Sequence, residues 1–139
     1  MTATLITVNN ILNYSFGSRT YSPALPSYPF IGLSTTLVDA TGLTSVTEPA
    51  TANGYARFGS VLEITPTWTT ATTNTITNLF TVTFPTASAS WGTVLSLFIA
   101  DSGTRAAGNV VWYSTLATPI LVSASQILSF EPGDIVITM

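Results

Sequence analysis

Apolar and polar positions change period once along the chain. Leu5, Val8, Leu12 and Phe16 recur at intervals of three and four, the stripe of an amphipathic helix. Thr4 supplies an N-cap and Gly17 a C-terminal stop. Tyr21, Pro23, Pro26, Tyr28 and Pro29 then hold the backbone extended and irregular, as in an ordered arm.

From Phe30 onward the period is two. Phe30 to Ser34 reads as a first short strand, and a long polar loop runs from Thr35 to Asn53. Strand-like runs follow at Ala56 to Thr67, Thr75 to Phe84, Trp91 to Ala100, Gly108 to Leu116, Ile120 to Phe130 (one broken strand or two shorter ones) and Asp134 to Met139. The clearest alternation sets Ile76, Phe80, Val82 and Phe84 against Thr77, Thr81 and Thr83, which predicts one buried face and one wet face. In Val94 to Ile99 and Val110 to Leu116 both faces carry apolar groups, so these strands should be central and covered on two sides. Pro132 and Gly133 occupy the central positions of a type II turn, expected to join two antiparallel strands.

These elements predict an all-β fold, an antiparallel β-sandwich of jelly-roll-like or Ig-like type with a short N-terminal helix or arm. The expected division is residues 1–28 as helix and extended arm, and 29–139 as the sandwich domain. A chain of 139 residues has length for one core of ordinary size.

Composition narrows the chemistry. Charged residues are 6% of the chain, three Arg against six acids, with no Lys, His or Cys, where about 25% is usual. Thiolate or Ser-His-Asp catalysis, zinc clusters and disulfides are thereby excluded. Three scattered arginines make nucleic acid a poor partner. Mean hydropathy is +0.48, yet no apolar run approaches the roughly 18 to 20 residues of a membrane span, so no membrane partner is expected. No positive charge precedes Arg19, and Asn9 and Asn10 interrupt the early apolar stretch, against a cleaved secretory signal.

Paired carboxylates are the one catalytic device left. Glu131 and Asp134 sit beside Pro-Gly as turn residues do, and Glu63 lies in a strand with no second acid near it. Asp39, Asp101 and Asp134 are isolated, so a calcium site would need loops to meet in space. Asn13-Tyr14-Ser15 matches a glycosylation pattern by chance inside the predicted helix. The expectation is a protein that is not an enzyme and takes no cofactor. Trp68, Trp91 and Trp112 suggest a sugar platform as a rival reading, with Trp68 alone in a polar setting; core packing is the default for all three.

Phe30 to Thr36, Thr47 to Arg57, Phe84 to Val94, Leu116 to Pro119 and Leu128 to Asp134 together resemble a family of small tailed-bacteriophage virion structural proteins, whose members are described as tail-fibre, structural or decoration proteins. The stretch from Gly59 to Thr75 matches least. The resemblance implies a non-enzymatic building block of the phage particle. The first expectation is a decoration or cement protein on the outer capsid surface, binding the major capsid protein and copies of itself clustered as trimers. A tail-fibre or tail-tip subunit in contact with other tail proteins is the alternative, and a carbohydrate-binding module for a host surface glycan is the rival from another class. Tyr14, Phe16, Arg19, Tyr21 and Tyr28 are the expected partner contacts, since Tyr and Arg are favoured at interface hot spots. Glu48 and Arg57 are a candidate pair that pins the long loop to the following strand; an exposed pair would contribute only about 0–1 kcal/mol.

Overall fold

A computed structural model of the chain describes residues 1–16, 29–59, 68–70 and 73–138. The fold is all-β, with antiparallel sheets and one α-helix among the described residues. Strand β1 (Thr2–Ala3) leads into α1 (Leu5–Phe16), then β2 (Phe30–Ser34), β3 (Thr75–Thr77), β4 (Val82–Thr83), β5 (Gly92–Ala100), β6 (Val110–Val122), β7 (Ser129–Phe130) and β8 (Val136–Thr138). They form a four-stranded sheet in the order β1-β6-β5-β2 and two ribbons, β3-β8 and β4-β7.

Strands β5 and β6 are central, as their two-sided apolar pattern predicts. Leu97, Ile99 and Val111 face one cluster, shared with Val82, Phe84, Leu128, Ile135 and Ile137 from the ribbon segments. Phe98, Ala100 and Val110 face a second cluster, closed by Val38, Leu43 and Val46. The long loop is therefore the lid of the sheet's other face. It contains two short 3-10 turns, Gly42–Ser45 and Thr51–Asn53. Its backbone is held by buried hydroxyls: Ser96 Oγ accepts Val38 N–H at 3.2 Å and Ser34 Oγ accepts Thr47 N–H at 3.1 Å. Gly32 stands opposite Phe98 on the neighbouring strand, and a Cβ there would lie 2.2 Å from the ring tip, so the aromatic needs a glycine beside it.

Several predicted strands are redrawn. The two runs expected at Gly108 to Leu116 and from Ile120 are one strand, β6. Val94 faces Ile120 while Ser96 faces Thr115, so residues 116–119 stand opposite Leu95 alone and bulge outward, where Pro119 has no N–H to give to a ladder. The run Thr75 to Phe84 is broken into β3 and β4 by Asn78 to Thr81, and Phe80 is 53% exposed although Val82 and Phe84 are buried. Asp134 N–H donates to Glu131 C=O at 3.0 Å across the Pro-Gly turn, with Gly133 at φ 89°. That turn connects β7 to β8, which pair with β4 and β3 and not with each other. Of the run Ala56 to Thr67, Phe58 bridges Ile31, and residues 60–67 lie outside the described residues.

The N-terminal helix is also turned round. Thr4 and Thr7 are buried, while Leu5, Val8 and Leu12 are exposed by 59%, 41% and 50%. Leu5, Val8 and Leu12 of the stripe face solvent because the helix docks through hydroxyls: Thr4 Oγ1 donates to Val110 C=O at 2.7 Å and Thr7 Oγ1 to Val111 C=O at 2.8 Å. Thr4 N–H and Leu5 N–H, two donors the helix itself leaves unpaired, go to Val111 C=O and Ala40 C=O. Residues 2–7 are thus stitched to β6, and the expected boundary at residue 28 falls outside the described residues.

Candidate functional site

Glu48 and Arg57, nine residues apart, are brought together in the interior. Arg57 Nη2 and Nε donate to Glu48 Oε2 and Oε1, both at 2.8 Å, a bidentate fork. Both side chains are buried. The carboxylate also accepts Tyr55 Oη at 3.0 Å and Ala106 N–H at 2.7 Å. Arg57 Nη1 donates to Ser102 C=O at 2.6 Å and Ala107 C=O at 3.0 Å, and its guanidinium lies 5.1 Å over the Phe98 ring. Arg105 completes the joint from the next loop, donating to Pro49 C=O and Glu48 C=O at 2.7 and 2.8 Å.

Three irregular segments meet here: the long loop, residues 55–58 and the loop 101–109. The carbonyls of Glu48, Pro49, Ser102 and Ala107 join no ladder, and two arginines supply their donors. Burial pushes the Glu48 carboxyl up, but the Arg57 and Ala106 donors, the guanidinium charge and the Tyr55 hydroxyl outweigh it and hold the group below its ordinary range. Burial and the neighbouring Glu48 charge drive the Tyr55 phenol far above its ordinary value. Four donors occupy this carboxylate, so it has no free lone pair to offer a substrate. The joint is an anchor, and its burial changes the energetic scale from that of an exposed pair.

The remaining described acids hold local turns. Asp39 accepts Thr41 N–H at 2.8 Å, and the Thr41 bonds hold its carboxyl below the usual range. Asp101 accepts Asn109 N–H and Nδ2–H. Asp134 caps Glu131 N–H, and Thr81 Oγ1 donates to Glu131 Oε2. Among the described residues no three acids gather as a metal site requires, and no helix is long and apolar enough to cross a membrane. Glu63 lies outside the described residues.

The three tryptophans do not share one face. Trp91 is buried edge-on to Tyr55 at 5.4 Å, its Nε1 donating to Asn53 C=O. Trp68 and Trp112 are half-buried and line an apolar cleft of about 170 Å³ with Pro29, Ile76 and Ile137. A sugar site needs convergent polar groups, and the described lining of this cleft carries indole rings and aliphatic side chains.

Of the expected contact residues, Tyr14 and Phe16 belong to the last turns of α1 with side chains outside the described residues; Arg19, Tyr21 and Tyr28 lie outside them entirely. Two features escaped sequence reasoning. One is the outward face of α1, which the Thr4/Thr7 pair at a spacing of three would have signalled. The other is Asn78, which with Asn74 is one of two amides in a Thr-rich run and carries no local signal of its burial.

A comparison with curated proteins returns no match. The family model described as podophage GP4 fiber I protein gp80 matches residues 2–138. With nearly every residue inside that match, the exposed leucines of α1 and the buried charges of the joint belong to a virion structural protein, and the chain is a member of the podophage GP4 fiber I protein gp80 family.

Proposed function

We propose that the chain is a non-enzymatic subunit of a phage fibre, held in the particle by contacts with other virion proteins and with copies of itself. The observation that carries this reading is the family match over residues 2–138, whose description names a fibre. It favours the fibre over the capsid-surface cement first expected. The surface supports an assembly role: α1 presents Leu5, Val8 and Leu12 to solvent, and residues 1–18 carry no charged side chain. Apolar surface left open on a subunit is covered by neighbours in the assembled particle.

Antibody labelling of purified particles under the electron microscope tests this. Label on appendages projecting from the tail region is expected. An even array of label over the head would replace the fibre reading with capsid decoration, and particles without label would refute both.

A further inference from the structure

Two surface features on opposite sides of the central strands complement each other. The first is the loop between β3 and β4, which presents Leu79 and Phe80 to solvent at 41% and 53% exposure. Asn78, buried behind it, fixes its shape. The Asn78 Nδ2 donates to Phe80 C=O and Glu131 C=O, both at 2.9 Å, and its Oδ1 accepts Gly133 N–H at 3.1 Å and Ile135 N–H at 2.9 Å. A buried, satisfied network of this kind specifies one loop conformation, and here it holds an aromatic outward. Glu131 and Asp134 stand exposed beside it: Thr81 Oγ1 donates to Glu131 Oε2 at 3.0 Å, and Asp134 accepts Glu131 N–H at 2.7 Å. Neither acid is paired with a cation among the described residues. The loop is an apolar knob with an acidic rim.

The second feature is a hollow of about 380 Å³ between the long loop and the loop 101–109, whose lining includes Leu43, Val46, Thr47, Arg105 and Ala106. Leu43 and Val46 are half-buried and make it apolar, and Arg105 is exposed at its rim. Arg57 is buried and Arg19 lies outside the described residues, so Arg105 is the one exposed cationic side chain among the described residues. Its Nε and Nη2 are spent on Pro49 and Glu48 C=O, while Nη1 has no hydrogen-bond partner among the described residues. The acids of these two loops turn elsewhere: Glu48 to Arg57, Asp39 to Thr41 and Asp101 to Asn109.

We propose that the Leu79 and Phe80 knob of one copy seats in the Arg105-rimmed hollow of the next, so that the chain assembles head to tail. Charge complementarity selects the occupant: the knob brings two carboxylates to Arg105, whereas the exposed leucines of α1 lie in a stretch, residues 1–18, with no charged side chain. Placement selects the symmetry. Ile76 of β3 and Val82 of β4 pack on the cluster of Leu97, Ile99 and Val111, while Leu43 and Val46 close the cluster of Phe98 and Val110 on the sheet's other face. A two-fold pair would need knob and hollow on one side; on opposite sides they make a heterologous contact, which repeats into a filament or closes into a ring. This contact rests on the fibre reading, which supplies many copies in one appendage, and deepens it by naming what joins them. Preorganisation by Asn78 lowers the ordering cost of the contact.

Photocross-linking tests it. Phe80 is replaced by p-benzoylphenylalanine in the purified chain and in particles, with Leu121, 62% exposed near the end of β6, as the control position. Irradiation of the purified chain is expected to give a ladder of covalent dimers and larger species, with adducts at residues 43–48 or 105–106 of the neighbouring copy, and the same adducts are expected in particles. Thr47 is exposed in the hollow, and its side chain makes no hydrogen bond among the described residues. Phe80→Ser and Thr47→Glu, each alone, are expected to weaken association in sedimentation roughly tenfold or more, as loss of a hot spot does, with the melting temperature unchanged. Thr47→Glu keeps its knob and Phe80→Ser keeps its hollow, so an equimolar mixture is expected to form pairs that stop at two. A ladder that ends at the dimer overturns the proposal, as do adducts no stronger than at Leu121, a particle adduct to a different virion protein, and a mixture that stays monomeric or grows like wild type. Antibody label over the head with the ladder intact would sink the fibre reading alone; label on appendages with no adduct between copies would sink this contact alone.

Discussion

The buried joint around Glu48 and the surface of helix α1 use polarity in opposite ways. At the joint, the charged side chains of Glu48 and Arg57 go inside, and Arg57, with Arg105 at the rim, feeds the carbonyls of Glu48, Pro49, Ser102 and Ala107. On α1, leucines stay outside, because Thr4 and Thr7 are the residues that reach the carbonyls of Val110 and Val111. The same rule explains both. Where irregular backbone or a docked helix end meets the sheet, the need to satisfy backbone polar groups outranks hydropathy in choosing what is buried. The joint stabilises the subunit by itself, whereas α1 leaves apolar area for an assembly to cover.

Removing one partner of the joint should give the largest effect. Arg57→Ala leaves the Glu48 carboxylate buried and uncompensated, and urea denaturation is expected to show a loss of about 3–5 kcal/mol with an unchanged slope. That corresponds to a fall in melting temperature of roughly 6–20 °C for a domain of this size. A loss below about 1 kcal/mol would mean that water reaches the pair, and the contrast with α1 would collapse.

A pH series sharpens the same side of the comparison. The Glu48 pKa is lowered by folding, so below its ordinary 4.5 the unfolded chain binds the extra proton first and stability falls as acid is added. The Tyr55 pKa is raised, so above its ordinary 10.0 the unfolded phenol ionises first and stability falls again with rising pH. Melting curves across the full range should show both declines. Arg57→Ala should shrink the acid-side decline, and Tyr55→Phe should abolish the Tyr55 share of the alkaline one; an acid limb identical in wild type and Arg57→Ala would remove Glu48 from the account.

The smallest effect belongs to the helix. Leu5→Gln, Val8→Gln and Leu12→Gln, made singly, should each change the stability of the isolated chain by no more than about 0.5 kcal/mol, since exposed positions with good helix formers are tolerant. A loss above about 2 kcal/mol would show that these side chains are already covered within the free chain.

Much of the sheet was legible because period two is a direct consequence of pleating. Phe30 to Ser34 and Gly92 to Ala100 lie where alternation and turn residues predict, and the two-sided apolar runs are the central strands. Misreadings cluster where local pattern and long-range pairing disagree. Phe80 continues an alternating run by its spacing, yet Asn78 bonds to residues 53–57 positions away and turns the chain out at that point. Leu5, Val8 and Leu12 form a helical stripe by their spacing, yet the carbonyls of β6 select the opposite face. The Pro-Gly turn has the conformation its residues demand, while the strands it joins find partners elsewhere.

Spacing and residue type alone were enough to determine the all-β class, the N-terminal helix, the central strands and the absence of nucleophilic thiol or imidazole chemistry, because those follow from periodicity and inventory along a single chain. Which face of the helix is buried, how deep the Glu48–Arg57 pair lies, and which loop an asparagine holds rigid depended on carbonyls and amides far away in sequence. Only the folded chain brings those groups within hydrogen-bonding distance of one another.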